Sequence, residues 1–404
     1  MSVQFDPPAQ TGGLLLGQGT YGCVFYPHLK CSNPKNMKRA NAVGKVFANG
    51  EEFKSEMDIN KLIDKVDPNR EFTLGSFGAC ITHPFQARPS DNIQKCDNIM
   101  RRRDRNAEVY QIFYEHGGVS LYTLATDKKK SVFLDSILQM FLPILNGVQK
   151  MHQYGLSHFD IKPDNIMYQP SSNRLLLVDF GLLSALRDIY TTNDLISASY
   201  MYYPPELRLF YAMQMQMPLL KRLDYLKESY KYTSVFRVLE ALQYGTGRIE
   251  TLISKAEEKG FSEFRRDCRT KFAQKVDVFS LGMAMLELFV LMQDRIKDPV
   301  FVHGFITSVV LPMVNFNPYE RLTLPDAIKA YTNYMKKCNQ TPLKSHAISV
   351  TPTTPIQSPT KAAPRAATKA PTKATKAPAK PPTKPPLIKP AATRAIKPTK
   401  PTNQ

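Results

Sequence analysis

The chain has 404 residues, 43% of them hydrophobic, and a net charge of +19, enough for two ordinary domains or one large one with appendages. Its six cysteines, at 23, 31, 80, 96, 268 and 338, form no C-x-x-C pair, which argues against a zinc site and a disulfide framework and suits a reducing compartment. MSVQFDPPAQ lacks the regions of a secretory leader, and the most apolar stretches, 132–148 and 276–292, are too short or interrupted to span a bilayer, so a soluble, intracellular protein off the membrane is expected.

After an N-terminal extension over 1–11, LLLGQGTYGCVF at 14–25 reads as two short strands joined by a glycine turn. NAVGKVF at 41–47 is a third strand, and KSEMDINKLIDKV at 54–66 carries a helical apolar stripe. Strands at 72–81 and 109–115 complete a small β-rich lobe with one helix. Helical spacing then runs through 132–155, with Pro143 as a kink. Short strands flank HFDIKPDN at 158–165 and lead to LLLVDFG at 175–181. Helical patterns dominate 206–337, and KVDVFSLGMAMLELFVLM, apolar on nearly every face, is expected to be buried. Residues 341–404 hold 12 Lys and Arg, no Asp or Glu and 14 of the 31 prolines, so a disordered basic tail over 339–404 is expected.

GQGTYGCV at 17–24 fits G-x-G-x-x-G-x-V. A dinucleotide site would need a helix after the glycines, but β-branched and aromatic residues follow, so the turn joins strand to strand. Glycines there let backbone N–H groups approach a phosphate. Lys45, on the next strand, is placed to meet the α- and β-phosphates; a solvated strand lysine is the alternative. Glu56 is the candidate partner of Lys45, with Glu51 and Glu52 as competitors, because E-x-x-I-x-x-L sets it beside the inward stripe. Phosphoryl transfer needs a carboxylate for the hydroxyl proton, oxygen ligands for Mg²⁺ and cations against the phosphate. Asp160, Lys162, Asn165 and Asp179 form such a set: Asp160 as base, Lys162 against the γ-phosphate, Asn165 and Asp179 on the metal. Turn roles for Asp160 and Asp164 beside Pro163 explain HFDIKPDN alone, but not the VDFG that follows.

In this order the motifs resemble the eukaryotic protein-kinase superfamily over about 12–337: the glycine loop, Lys45, HxD with Lys162 and Asn165, DFG at 179–181 and PPE at 204–206. The resemblance implies an α+β, bilobal kinase-like fold at 12–338, with an N-lobe over about 12–116 and a C-lobe over about 117–338. It implies ATP and Mg²⁺ as cofactors, and Leu16, Gly17, Gln18, Gly19, Thr20, Tyr21, Gly22, Cys23, Val24, Lys45, Glu115 and Gly117 as nucleotide-binding residues. Tyr114 matches the gatekeeper, Asp277 the anchor of the catalytic-loop backbone, and Arg321 the partner of Glu206. Lys162, with Ser199 on the substrate side, implies Ser/Thr specificity on protein substrates. Phe159 replaces an arginine that in the family couples activity to activation-loop phosphorylation, so independence of that modification is expected. A helical insertion over 207–274 exceeds typical members, and the overall texture resembles kinases of large DNA viruses, iridoviruses among them.

A pseudokinase scaffold is the main alternative, though such proteins generally lack one of the residues matched by Lys45, Asp160 and Asp179. The tail resembles linker-histone tails, and a nonspecific nucleic acid or other polyanion is its candidate partner through 341–404; a bare spacer is the alternative. Thr351, Thr354 and Ser358 precede prolines as candidate phosphorylation sites. A monomer is expected.

Overall fold

A computed structural model describes residues 13–19, 22–33, 42–83, 92–101, 108–191, 200–228, 230 and 233–340. The extension and residues 341–404 lie outside them, as do Thr20, Tyr21, Thr192, Ser197 and Ser199, whereas Asn339 and Gln340, expected to open the disordered tail, belong to the last helix.

Strands β1 (Leu14–Gln18), β2 (Cys23–Tyr26) and β3 (Val43–Phe47) lead to helix α1 (Gly50–Val66), then to β4 (Ser76–Thr82), a short α2 (Asp97–Met100) and β5 (Val109–Tyr114). The strands form one antiparallel sheet in the order β1-β2-β3-β5-β4. Helix α1 starts at Asn49, whose side chain accepts from the Glu51 amide at 2.8 Å. Its buried residues are Glu56, Asn60, Ile63 and Val66, one stripe at helical spacing whose first half is polar. That polar half faces the functional cleft described below, which Glu56 and Asn60 both line.

Two short elements, β6 (Val119–Ser120) and α3 (Leu121–Thr126), open the helical part. The expected 132–155 helix is two, α4 (Leu134–Gln139) and α5 (Leu142–Gln153). Pro143 falls in the first turn of α5, where its missing N–H has no helical partner to lose, so it starts a helix and does not kink one. Strand β7 (Leu156–Ser157) pairs with β10 (Ser184–Ala185), while β8 (Ile166–Gln169) lies between β6 and β9 (Arg174–Leu177). The strand expected at 72–81 starts later, as β4 over Ser76–Thr82, and Thr73 instead makes an isolated bridge to Leu177.

Helices α6 (Pro205–Gln214), α7 (Leu219–Glu228), α8 (Ser234–Ala241) and α9 (Thr246–Asp267) occupy most of 207–274. They pack on one another and, through α8, on α10 (Val276–Leu291), with Ile249, Leu252, Ala256 and Phe264 in the main core. The segment is therefore built into the helical core. Helix α10 is buried on nearly all sides, as its composition requires. Helices α11 (Pro299–Phe305), α12 (Leu311–Met313) and α13 (Leu324–Gln340) complete the fold, and no helix among the described residues is long and apolar enough to cross a membrane.

The cysteine reading needs correction. Cys23 is bonded to Cys96 and Cys31 to Cys80, leaving Cys268 and Cys338 free. The partners are 73 and 49 residues apart, and the antiparallel sheet with its packed loops brings them together, which spacing cannot reveal. Absence of a C-x-x-C pair therefore gave no ground for excluding disulfides, nor for assigning a reducing compartment.

Candidate active site

The β1–β2 hairpin forms the roof of a cleft of about 950 Å³, lined there by Leu16, Gly17, Gln18, Gly19, Gly22 and Val24. The Gly19 amide donates to the Gly22 carbonyl at 2.9 Å, closing the turn. A Cβ at Gly22 would lie 2.4 Å from the Val46 carbonyl oxygen, so a side chain there would drive the hairpin off β3. Alternation along β2 turns Cys23 away from the cleft into its disulfide, so its side chain is not available to a nucleotide, contrary to expectation. The segment around α2 braces the hairpin: Asn98 Nδ2 donates to the Gly19 carbonyl at 2.8 Å, and Gln18 Nε2 to Asp97 at 3.3 Å.

Lys45 sits mid-strand in β3, opposite Val24 on one side and Ile112 on the other. Its Nζ lies 2.8 Å from Glu56 Oε1 and 3.2 Å from Asp179 Oδ1. Glu51 and Glu52 lie in the first turn of α1, with Glu51 at the cap, and Glu56 is the acid that meets Lys45. Burial alone would lower the Lys45 pKa; the two carboxylates outweigh it and raise it. Asp179 mirrors this: burial pushes its carboxyl up, but Lys45 holds it low, and both groups stay charged. Tyr114 extends the network, donating to Glu56 Oε1 at 3.1 Å and accepting from Asn60 Nδ2 at 2.8 Å. Glu115 and Gly117 line the rear of the cleft just beyond it.

Opposite lies the loop after β7. Asp277, fully buried at the start of α10, accepts from the amides of His158 and Phe159, each at 3.0 Å, and lies 2.9 Å from His152 Nε2. Burial would push the Asp277 carboxyl up, yet the His152 contact and the Phe159 amide hold it low. These bonds fix Phe159 at φ +64°, a left-handed conformation costly for a phenylalanine. Its ring is 1% exposed and packs on Tyr203 at 4.9 Å. Asp160, next in sequence, receives Lys162 Nζ at 3.1 and 3.3 Å and Asn165 Nδ2 at 2.8 Å. Phe180 of the DFG stretch packs on the His158 ring at 4.9 Å, and Asp179 is half-exposed toward the cleft. Glu206 and Arg321 make a bidentate pair at 2.6 and 2.8 Å with both side chains 0% exposed.

The folded chain thus gathers Lys45, Glu56, Asp160, Lys162, Asn165 and Asp179 around one cleft. Sequence reasoning missed Asn60, His152 and above all Tyr200, whose hydroxyl donates to Asp160. Nothing in local periodicity marks these residues, because each acts across 40 or more positions.

Residues 82–216 match the family described as protein kinase domain. Among curated proteins, the chain is 29% identical over 190 residues to a probable serine/threonine-protein kinase HAL5-like of Eremothecium gossypii, covering 43% of this chain and 26% of that one. It is 31% identical over 119 residues to the serine/threonine-protein kinase MAK of Homo sapiens, covering 29% of this chain and 18% of that one. It is 28% identical over 137 residues to the B1 kinase of vaccinia virus, covering 31% of this chain and 46% of that one. The chain thus spans less than half the length of each. Its β-sheet N-terminal part and helical C-terminal part agree with these likenesses: over residues 82–216 the chain is similar to protein kinase domains, a viral kinase among the relatives.

Proposed function

We propose that this protein is a serine/threonine protein kinase that transfers the γ-phosphate of ATP to protein hydroxyls with Mg²⁺. The observation that carries this reading is the intact chain Glu56–Lys45–Asp179 facing Asp160, Lys162 and Asn165 across one cleft. Lys45, held by Glu56, would bind the α- and β-phosphates under the glycine hairpin. Lys162 would neutralise charge on the transferring group, while Asp160 would orient the acceptor hydroxyl and take its proton. Asn165 commits its Nδ2 to Asp160, which leaves the amide oxygen for a ligand role; with the Asp179 carboxylate it would offer oxygen ligands of the kind Mg²⁺ takes. A metal held there supplies charge neutralisation on the phosphates.

Phe159 supports independence of activation-loop phosphorylation. Where a phosphate-binding arginine would stand, a buried ring packs on Tyr203, and Tyr203 packs on Tyr200 at 4.7 Å. Aromatic packing thus holds residues 200–203 before PPE, and Phe159 itself offers no charge for a phosphate to engage. The pseudokinase reading is disfavoured because the lysine and both aspartates stand in mutually consistent contacts. Measuring ATP affinity and phosphate transfer on the same preparation separates the two: tight Mg-ATP binding without transfer to any Ser or Thr would make the protein a scaffold.

A further inference from the structure

Asp160 is crowded. Its Oδ1 accepts from the Tyr200 hydroxyl and lies 3.3 Å from Lys162 Nζ; its Oδ2 lies 3.1 Å from Lys162 Nζ and 2.8 Å from Asn165 Nδ2. An ionised carboxylate has about four lone-pair sites, and these contacts use them. An acceptor hydroxyl must reach the same carboxylate, so one donor has to leave. Lys162 and Asn165 are committed to the cleft's own chemistry; the phenol is not.

Tyr200 is built to move only at its side chain. Arg208 donates to its backbone carbonyl, and the Ser280 hydroxyl donates to the Tyr202 carbonyl at 2.9 Å, so the main chain is tied on both sides of Met201. The half-buried ring lies at the cleft edge, 5.6 Å from Lys162 Nζ and against Tyr202 and Tyr203 at 5.2 and 4.7 Å. Burial and the Asp160 carboxylate push its phenol pKa far up, so it stays a proton donor at any working pH.

We propose that Tyr200 is an internal stand-in for the substrate hydroxyl, plugging Asp160 against water until an acceptor displaces it. The inference rests on the kinase reading above. Without the plug, water could occupy the hydroxyl's place: its oxygen would bond to the γ-phosphorus, the bond to the β–γ bridging oxygen would break, and Asp160 would take the proton, giving ADP and phosphate. Tyr200 would suppress that loss of ATP and would demand that a true acceptor out-compete it. It is therefore a positioning residue that sets acceptor selectivity.

The test is Tyr200→Phe, which keeps the ring and removes the donor. ATP hydrolysis is measured without acceptor, and KM and kcat are measured with casein. Hydrolysis should rise, and the casein KM fall, by about tenfold or more, the worth of one hydrogen bond to a charged group, with kcat within a few-fold. Tyr202→Phe, whose hydroxyl bonds Glu287 and not Asp160, should produce neither change. Unchanged or lower hydrolysis in Tyr200→Phe, or a fall in kcat at constant KM, would overturn the proposal. So would phosphate found on Tyr200 itself after incubation with Mg-ATP, since the hydroxyl would then be an acceptor. A wild type that transfers phosphate to nothing removes the kinase reading and the plug together; a transferring wild type without the mutant's rise removes the plug alone.

Discussion

Replacing Phe159 with alanine probes how the catalytic loop is held in the absence of a phosphate-binding arginine. The ring is 1% exposed and meets Tyr203 at 4.9 Å, so its loss removes core burial and an aromatic pair together. Buried Phe→Ala changes cost about 3–5 kcal/mol, against a total stability of about 5–15 kcal/mol. Backbone strain at φ +64° does not change the balance, because alanine keeps the Cβ that makes this conformation costly. In urea unfolding the midpoint should drop by roughly 1 M. Where the variant is still folded, kcat should fall, since the loop bearing Asp160 loses its packing against Tyr203. By contrast, Thr191, Thr192 and Ser197 replaced together by alanine should leave kcat within a few-fold. A Phe159→Ala protein with an unchanged midpoint, or a triple variant slowed by orders of magnitude, would refute the reasoning.

The buried Glu206–Arg321 pair predicts that Glu206→Ala alone destabilises by about 3–5 kcal/mol, because it strands a guanidinium. Glu206→Leu with Arg321→Met should recover most of that in the same urea assay. Asp277 sets an acid limb: its folded pKa is held below the unfolded value of about 3.9, so its contribution is present above that pH and lost as pH falls through the lower folded value. Asp277→Asn should therefore be less stable than wild type near neutral pH, with a shallower loss of stability below about pH 4. The tail predicts that full-length protein binds nucleic acid with a log–log salt slope of about −0.9 per phosphate neutralised, and that a 1–340 truncation loses it. Equal slopes for the two proteins would make the tail a spacer.

Much of the fold could be read from residue order. The glycine hairpin, the strand bearing Lys45, the helix bearing Glu56 and the buried helix α10 each have a local pattern of their own, and each appears in the structure. The break in 132–155 was less legible, because periodicity continues across Met140 and Phe141 while Pro143 begins a new first turn. Disulfides were illegible for a different reason: Cys23 and Cys96 become neighbours only when a loop folds over the sheet. The same holds within the site. Motif spacing brought Asp160, Lys162 and Asn165 together, all within one loop. Tyr200 reaches Asp160 across 40 positions, and the sequence alone pointed instead to its neighbour Ser199.

The most direct measurement of the central claim is transfer of labelled γ-phosphate from ATP, with Mg²⁺, to serine and threonine of an acceptor protein, comparing wild type with Asp160→Asn. In the proposed reading Asp160 would supply the acceptor's proton path, while the Lys45–Glu56 pair that would hold the nucleotide is a separate contact. The wild type should transfer label to Ser or Thr. Asp160→Asn should bind ATP within a few-fold of wild type while transfer falls by about 10² or more, the range of general-base contributions. Undiminished transfer by Asp160→Asn, or none by the wild type under conditions where it binds Mg-ATP, would contradict the account.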